Sequence, residues 1–208
     1  MKKLLFATVI AMAIFACNST QVTSSWKASD VTLKQYNKIL VAGMAGAKDR
    51  DIRESVENAM ANSLKERGFN AVTSWSQYGP KVFDQNDQEK AVEKVTSDGF
   101  DGAFVISLLD KQKERNYYPG SYYYSPYWGY YNNFYWSYNF MYNRLYDPGY
   151  YTTTTNYVLE VNFYDVAQRK LLYSAQTKSF DPGSAGKLAT DFSKTVIDDM
   201  IKAGIIAK

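Results

Sequence analysis

The chain has 208 residues, with no histidine, one cysteine, and 24 Lys and Arg against 21 Asp and Glu. These counts exclude zinc sites built on Cys or His, Ser-His-Asp triads, Cys-His dyads and an intrachain disulfide. The formal net charge of +3 gives no bulk electrostatic reason to bind nucleic acid, and no such partner is expected.

Met1 to Ala16 reads as a secretory signal. Lys2 and Lys3 supply its charged start, and the apolar run Leu4 to Ala16 is too short to span a bilayer. The single cysteine, Cys17, follows directly. Ile14-Phe15-Ala16-Cys17 resembles the lipobox of bacterial lipoproteins, a pattern of Leu, a small residue, Gly or Ala, then Cys. Ala16 and Cys17 match that pattern, while Ile14 and Phe15 depart from it. The resemblance implies cleavage before Cys17 and its acylation, hence a membrane anchor in which each buried methylene adds ~0.8 kcal/mol. The neutral Asn18 implies, by analogy with enterobacteria, passage to the outer membrane. Loss of Lys2 and Lys3 lowers the net charge to +1. Residues 17–29 then read as the acylated Cys and a polar tether, with Trp26 as its first anchor on a single domain spanning 30–208.

The domain begins with Lys38 to Met44, apolar on both faces as a central strand requires. A loop, Ala45 to Arg50, leads to a helix predicted over Asp51 to Arg67 with the stripe Ile52, Val56, Met60 and Leu64. Asp51 with Glu54 resembles a capping box, Asp49 being the alternative cap, and Gly68 takes the position where an αL residue ends a helix. Asn70 to Trp75 is a second strand. After Gly79-Pro80, Gln85 to Asp98 is a charged helix whose buried face is Ala91, Val92 and Val95, closed by Gly99. Ala103 to Leu109 is a third strand, with a charged run-out from Asp110 to Arg115. Thr152 to Val166 alternates from Tyr157 onward, so that Leu159, Val161 and Phe163 share one face with it. Lys170 to Phe180 returns as a hairpin partner, and Ser184 to Ala203 is the last helix, with Leu188, Phe192, Val196 and Met200 as its stripe. The order β-α-β-α-β-(insert)-β-β-α predicts an α/β class with α+β character. The two crossovers make three strands parallel, in a mixed five-stranded sheet ordered 2-1-3-4-5.

The insert, residues 116–151, interrupts this frame. Half of its 36 residues are aromatic, 14 of them Tyr, and only Arg144 and Asp147 are charged. Such rings with polar tips suit a wet interface or a glycan better than a core. Alternation from Phe134 to Asn143 allows a strand, while Tyr131, Tyr135, Tyr138 and Tyr142 also fit helical spacing, and both readings stay open.

The Tyr-rich run Tyr117 to Tyr151, with Leu-Glu-Val-Asn-Phe-Tyr-Asp-Val at 159–166 and Lys170-Leu-Leu-Tyr-Ser after it, resembles a group of bacterial envelope lipoproteins of unknown function. The N-terminal half more loosely resembles small α/β domains of the kind found at the N-terminus of TolB, a resemblance that implies a docking role. Neither supplies a catalytic residue.

Ligands of open α/β sheets favour the edge where parallel strands end. There Lys48, Arg50, Arg53, Lys111, Lys113 and Arg115 are expected to form a basic collar beside Trp75, Tyr78, Tyr117 and Tyr118. Gly43 to Gly46 lacks the residues of a phosphate-binding loop, and Asp49 and Asp51 oppose an anion there. Asp98 and Asp101 are better explained as loop caps than as a catalytic pair. The expected function is therefore a non-catalytic, lipid-anchored envelope protein with no cofactor and no metal. Its binding residues are Trp75, Arg50, Lys113, Arg115, Tyr117 and Tyr118, with Trp128, Tyr130, Trp136 and Tyr138 in the insert. The expected partner is an envelope protein or a second copy; the alternative is peptidoglycan or another glycan held by the insert and collar.

Overall fold

The computed structural model describes residues 19–31, 35–79, 88–118 and 150–206. Their strands are β1 (Thr20–Lys27), β2 (Ile39–Met44), β3 (Ala71–Thr73), β4 (Gly102–Tyr118), β5 (Tyr150–Asp165) and β6 (Lys170–Phe180). The helices are α1 (Arg50–Lys65), preceded by a 3-10 turn (Ala47–Asp49), then α2 (Ser74–Tyr78), α3 (Gln88–Ser97) and α4 (Ala185–Lys202). The strands form one mixed sheet in the order β1-β6-β5-β4-β2-β3.

The predicted order of five strands is present within this six. β2 pairs in parallel with β3 and with β4, as two helical crossovers demand, and β5 pairs antiparallel with β6. The sixth strand is β1, whose residues the sequence assigned to a tether. It pairs antiparallel along β6 from Thr20↔Ser179 to Lys27↔Tyr173, with a bulge between Val22 and Ser24. Thr20 Oγ1 and Ser179 Oγ share a hydrogen bond of 2.7 Å, and Lys27 Nζ donates to the Ala203 carbonyl at the end of α4. Trp26 does not anchor the chain through burial: its side chain is 53% exposed.

Two further boundaries differ from expectation. β3 stops at Thr73, because the Thr73 hydroxyl accepts the Ser76 amide and caps α2, so Trp75 is helical rather than extended. β4 runs on through the charged segment to Tyr118, since sheet pairing tolerates exposed Asp, Lys, Gln and Arg on a solvated strand.

Two layers flank the sheet. On one face, Ile39, Val41, Phe104, Ile106, Leu159, Val161 and Phe163 meet α1 through Ile52, Val56, Met60 and Leu64, and α4 through Leu188, Phe192, Val196 and Met200. Period-2 strands and period-3.6 helices bring these residues to a common interior. On the other face, Leu40 and Phe100 pack with Val95 of α3 and with Val166. Gly102 is tight in this frame: a Cβ there would lie 3.0 Å from Tyr36 Cδ1 and 3.2 Å from Phe163 Cε2, whose rings meet edge to face.

Three helices end by one device. After α1, the Gly68 amide donates to the Lys65 carbonyl and the Phe69 amide to that of Leu64; Gly99 and Phe100 repeat the pattern after α3, and Gly204 and Ile205 after α4. Gly68, Gly99 and Gly204 all have positive φ, and each is followed by an apolar residue directed back to the core. At its N-terminus α4 is capped by the Ser184 hydroxyl, which accepts the Lys187 amide. α1 has no such cap. The Asp49 carboxylate pairs instead with Lys111 Nζ, so neither the capping box nor the alternative cap is formed.

The chain divides into two compact units, Met1–Lys111 with Asn156–Lys208, and Gln112–Thr155. The second nearly coincides with the aromatic insert.

Candidate functional site

Each unit holds part of the predicted binding set. In the smaller unit, the end of β4 and the start of β5 bring tyrosines together in two pairs. Tyr117 meets Tyr151 with ring centroids 5.0 Å apart, and Tyr118 stacks on Tyr150 at 5.6 Å with an interplanar angle of 14°. Opposed positions on paired strands are within ring reach of each other, which accounts for both contacts. The four rings remain 50–63% exposed. The Arg115 guanidinium sits 5.1 Å from the Tyr151 ring centroid, a cation–π distance that directs one face of that ring to a charge. Lys113 lies on the same exposed stretch of β4. Trp128, Tyr130, Trp136 and Tyr138, like Cys17, lie outside the described residues.

In the larger unit, the ends of β2 and β3 meet the start of α1, as the parallel-strand rule predicted. Arg50 lies 4.3 Å from the Trp75 ring centroid and Arg53 lies 5.7 Å from it. Their positive charges are not equivalent. Arg53 Nε donates to Glu57 Oε1 at 3.2 Å, and Glu57 is fully buried. The same carboxylate accepts the Gly43 amide, the Ser74 hydroxyl and the Trp75 amide, each at 2.9 Å. A buried anion with four donors is compensated and rigid. Of the rest of the expected collar, Lys111 is committed to Asp49, which with hydrogen bonding holds its ammonium above the usual lysine range. Lys48 and Arg50 are exposed. Within this unit the collar is therefore partly neutralised.

The polar groups considered for chemistry have structural partners. Asp101 accepts the Asn37 amide, Asn37 Nδ2 and the Lys38 amide at 2.8–3.0 Å, which fixes the entry to β2. Burial, and then the nearby Asp98 carboxylate, pushes the Tyr78 hydroxyl well above its ordinary range. The Gly43 amide, in the loop considered for phosphate, already donates to Glu57.

Glu57 was missed by sequence reasoning. A signal for it exists: Glu57 precedes Met60 by three residues and Ala61 by four, which puts it on the buried face of α1. Tyr150 and Tyr151 were counted as part of the insert but not as binding residues, and only the strand pairing sets them against Tyr118 and Tyr117.

Fold and site together define an open, mixed α/β sheet domain bearing a tyrosine-edged unit between its third parallel strand and its terminal hairpin. No family model and no curated protein matches the chain. Among solved structures it is similar to the PelC dodecamer from Paraburkholderia phytofirmans, at 14% identity over 85% of this chain and 94% of that one, with a TM-score of 0.46. It is also similar to the lipoprotein GNA1162 from Neisseria meningitidis, at 12% identity over 80% of this chain and 99% of that one, with a TM-score of 0.45.

Proposed function

We propose that this chain is a non-catalytic lipoprotein of the bacterial cell envelope, anchored through Cys17 in the outer membrane, whose tyrosine-rich unit docks an envelope protein or a second copy of itself. The observation that carries this reading is the exposed set Tyr117, Tyr118, Tyr150 and Tyr151 with Arg115 beside it. Tyr and Arg dominate binding hot spots, because each presents a large, stiff surface with a polar end. Clustered exposed rings of this kind mark an interaction surface more often than chance decoration. The partial neutralisation of the collar supports the docking reading over the glycan alternative, since Arg53 and Lys111 are already held by Glu57 and Asp49.

Photo-crosslinking from positions 117 and 150 in intact cells, with mass spectrometry of the adducts, tests the proposal. A discrete protein adduct is the expected result. Glycan-bearing adducts would transfer the role to wall binding, and adducts with lipid alone would overturn docking.

A further inference from the structure

On the face of the sheet opposite α1 and α4, a cavity of about 600 Å³ opens between α3 and the strands. Its floor is Leu40 and Ala42 of β2 with Ala103 and Val105 of β4, and its wall is Ala91 and Val92 of α3. Cavities that hold small molecules measure ~300–1,000 Å³ and are mainly apolar with a few polar groups. Alanines at 42, 91 and 103 leave the space that larger side chains at the same positions would fill.

The charged lining residues decide what the occupant is. Of the two cations among the described lining residues, Arg53 is held by Glu57. Arg169, in the turn between β5 and β6, is exposed and forms no ion pair among the described residues. The lining carboxylate, Asp165, is buried; its Oδ1 accepts the Gln168 amide at 2.9 Å, and its charge also acts on the Tyr36 hydroxyl. The cavity thus combines an apolar interior with one exposed positive charge, Arg169, in its lining.

We propose that this cavity binds a single-chain amphiphile with an anionic head, a medium- or long-chain carboxylate being the simplest member. The chain lies over Ala42, Ala91 and Ala103, and the head meets the Arg169 guanidinium. All of these residues belong to the larger unit, so the role of the tyrosine-rich unit does not bear on the site.

Isothermal titration calorimetry of decanoate and dodecanoate into the full chain carrying Cys17→Ser, which has no acyl group of its own to compete, tests the assignment. Saturable binding is expected, about tenfold tighter for dodecanoate because two more methylenes are buried. Arg169→Gln should weaken dodecanoate by about tenfold through loss of a charge-assisted hydrogen bond, and leave decanol binding unchanged. Ala103→Leu should abolish binding of all three, and Ala42→Leu replaces it should that variant not fold. Absence of saturable binding, equal affinity for the two chain lengths, or undiminished dodecanoate affinity in Arg169→Gln overturns the proposal.

Discussion

The amide of Gly43, at the end of the central strand β2, donates to Oε1 of Glu57 on α1 over 2.9 Å. This bond joins strand to helix at a point where both backbones come close, and the Ser74 hydroxyl and Trp75 amide converge on the same carboxylate. Removing the carboxylate would strand all of these donors in the interior. Glu57→Ala is therefore expected to cost about 3 kcal/mol, the scale for buried polar groups left without partners. Glu57→Gln, which keeps the shape and one acceptor, should cost about half as much. Urea denaturation of the full chain carrying Cys17→Ser measures both. A loss below about 1 kcal/mol in Glu57→Ala would mean that the donors reach water instead.

The close approach itself is testable at Gly43. A Cβ there would lie 3.0 Å from Arg53 Cγ, 3.2 Å from the Arg53 carbonyl oxygen and 3.2 Å from Glu57 Cγ. Because one of these atoms is helix backbone, α1 has to shift, and Gly43→Ala should destabilise by about 1–3 kcal/mol. Gly46 is the matched control. A Cβ at Gly46 meets nothing within 4 Å, and its φ of −60° suits any residue. Gly46→Ala should be neutral or stabilising by roughly 0.5 kcal/mol. Equal effects at the two positions would show that the strand–helix contact is looser than described.

Alkaline pH should weaken the fold through its buried tyrosines. Burial, and then the charges of Asp165 and Asp101, push the Tyr36 hydroxyl up to about 12, from an ordinary value of 10.0. Tyr173 is also held well above its ordinary range, by burial first and then by its 2.7 Å hydrogen bond to Asp199. The unfolded chain loses these protons at lower pH than the native one. Their contribution is thus complete below about pH 10 and is lost as pH rises toward 12. Thermal melts across that window should show a falling midpoint, with a shallower fall in Tyr36→Phe. A midpoint as steep in that variant as in the parent would remove Tyr36 from the account.

Among the described residues, every buried apolar side chain lies outside Gln112–Thr155. Replacing Tyr117–Tyr151 by a short Gly/Ser turn should leave a cooperative melt with a midpoint close to that of the parent. Circular dichroism during heating reads this directly. A broad, non-cooperative transition would instead show that the rings complete the interior.

Anchoring through Cys17 is tested by fractionation. Cys17→Ser is expected to move the chain from the membrane to the soluble periplasmic fraction, because the acyl chains supply the methylenes that hold it there. Retention on the membrane without them would give that role to another surface.

Much of the architecture was determined by the sequence alone, where short-range rules suffice. Gly68, Gly99 and Gly204 end their helices because only the residues within one turn, and the lack of a Cβ, decide a positive φ. The alternation of Leu159, Val161 and Phe163 places β5 on one face, and two helical crossovers force the parallel pairs β2–β3 and β2–β4. Other features depended on partners far along the chain. Thr20–Lys27 is polar and mostly exposed, so no periodicity marks it; it becomes a strand by accepting and donating along β6, some 150 residues away. Asp49 is the right residue for a helix cap, yet Lys111 claims it from 62 positions away. Glu57 reads as one more surface acid in a charged helix until Gly43, Ser74 and Trp75 close around it. Likewise the tyrosines at 117, 118, 150 and 151 are only composition in the sequence, and the pairing of two strands turns them into a surface. Local torsion and side-chain period are written residue by residue, whereas the partner of a hydrogen bond or a charge is chosen by which surfaces the folded chain brings together.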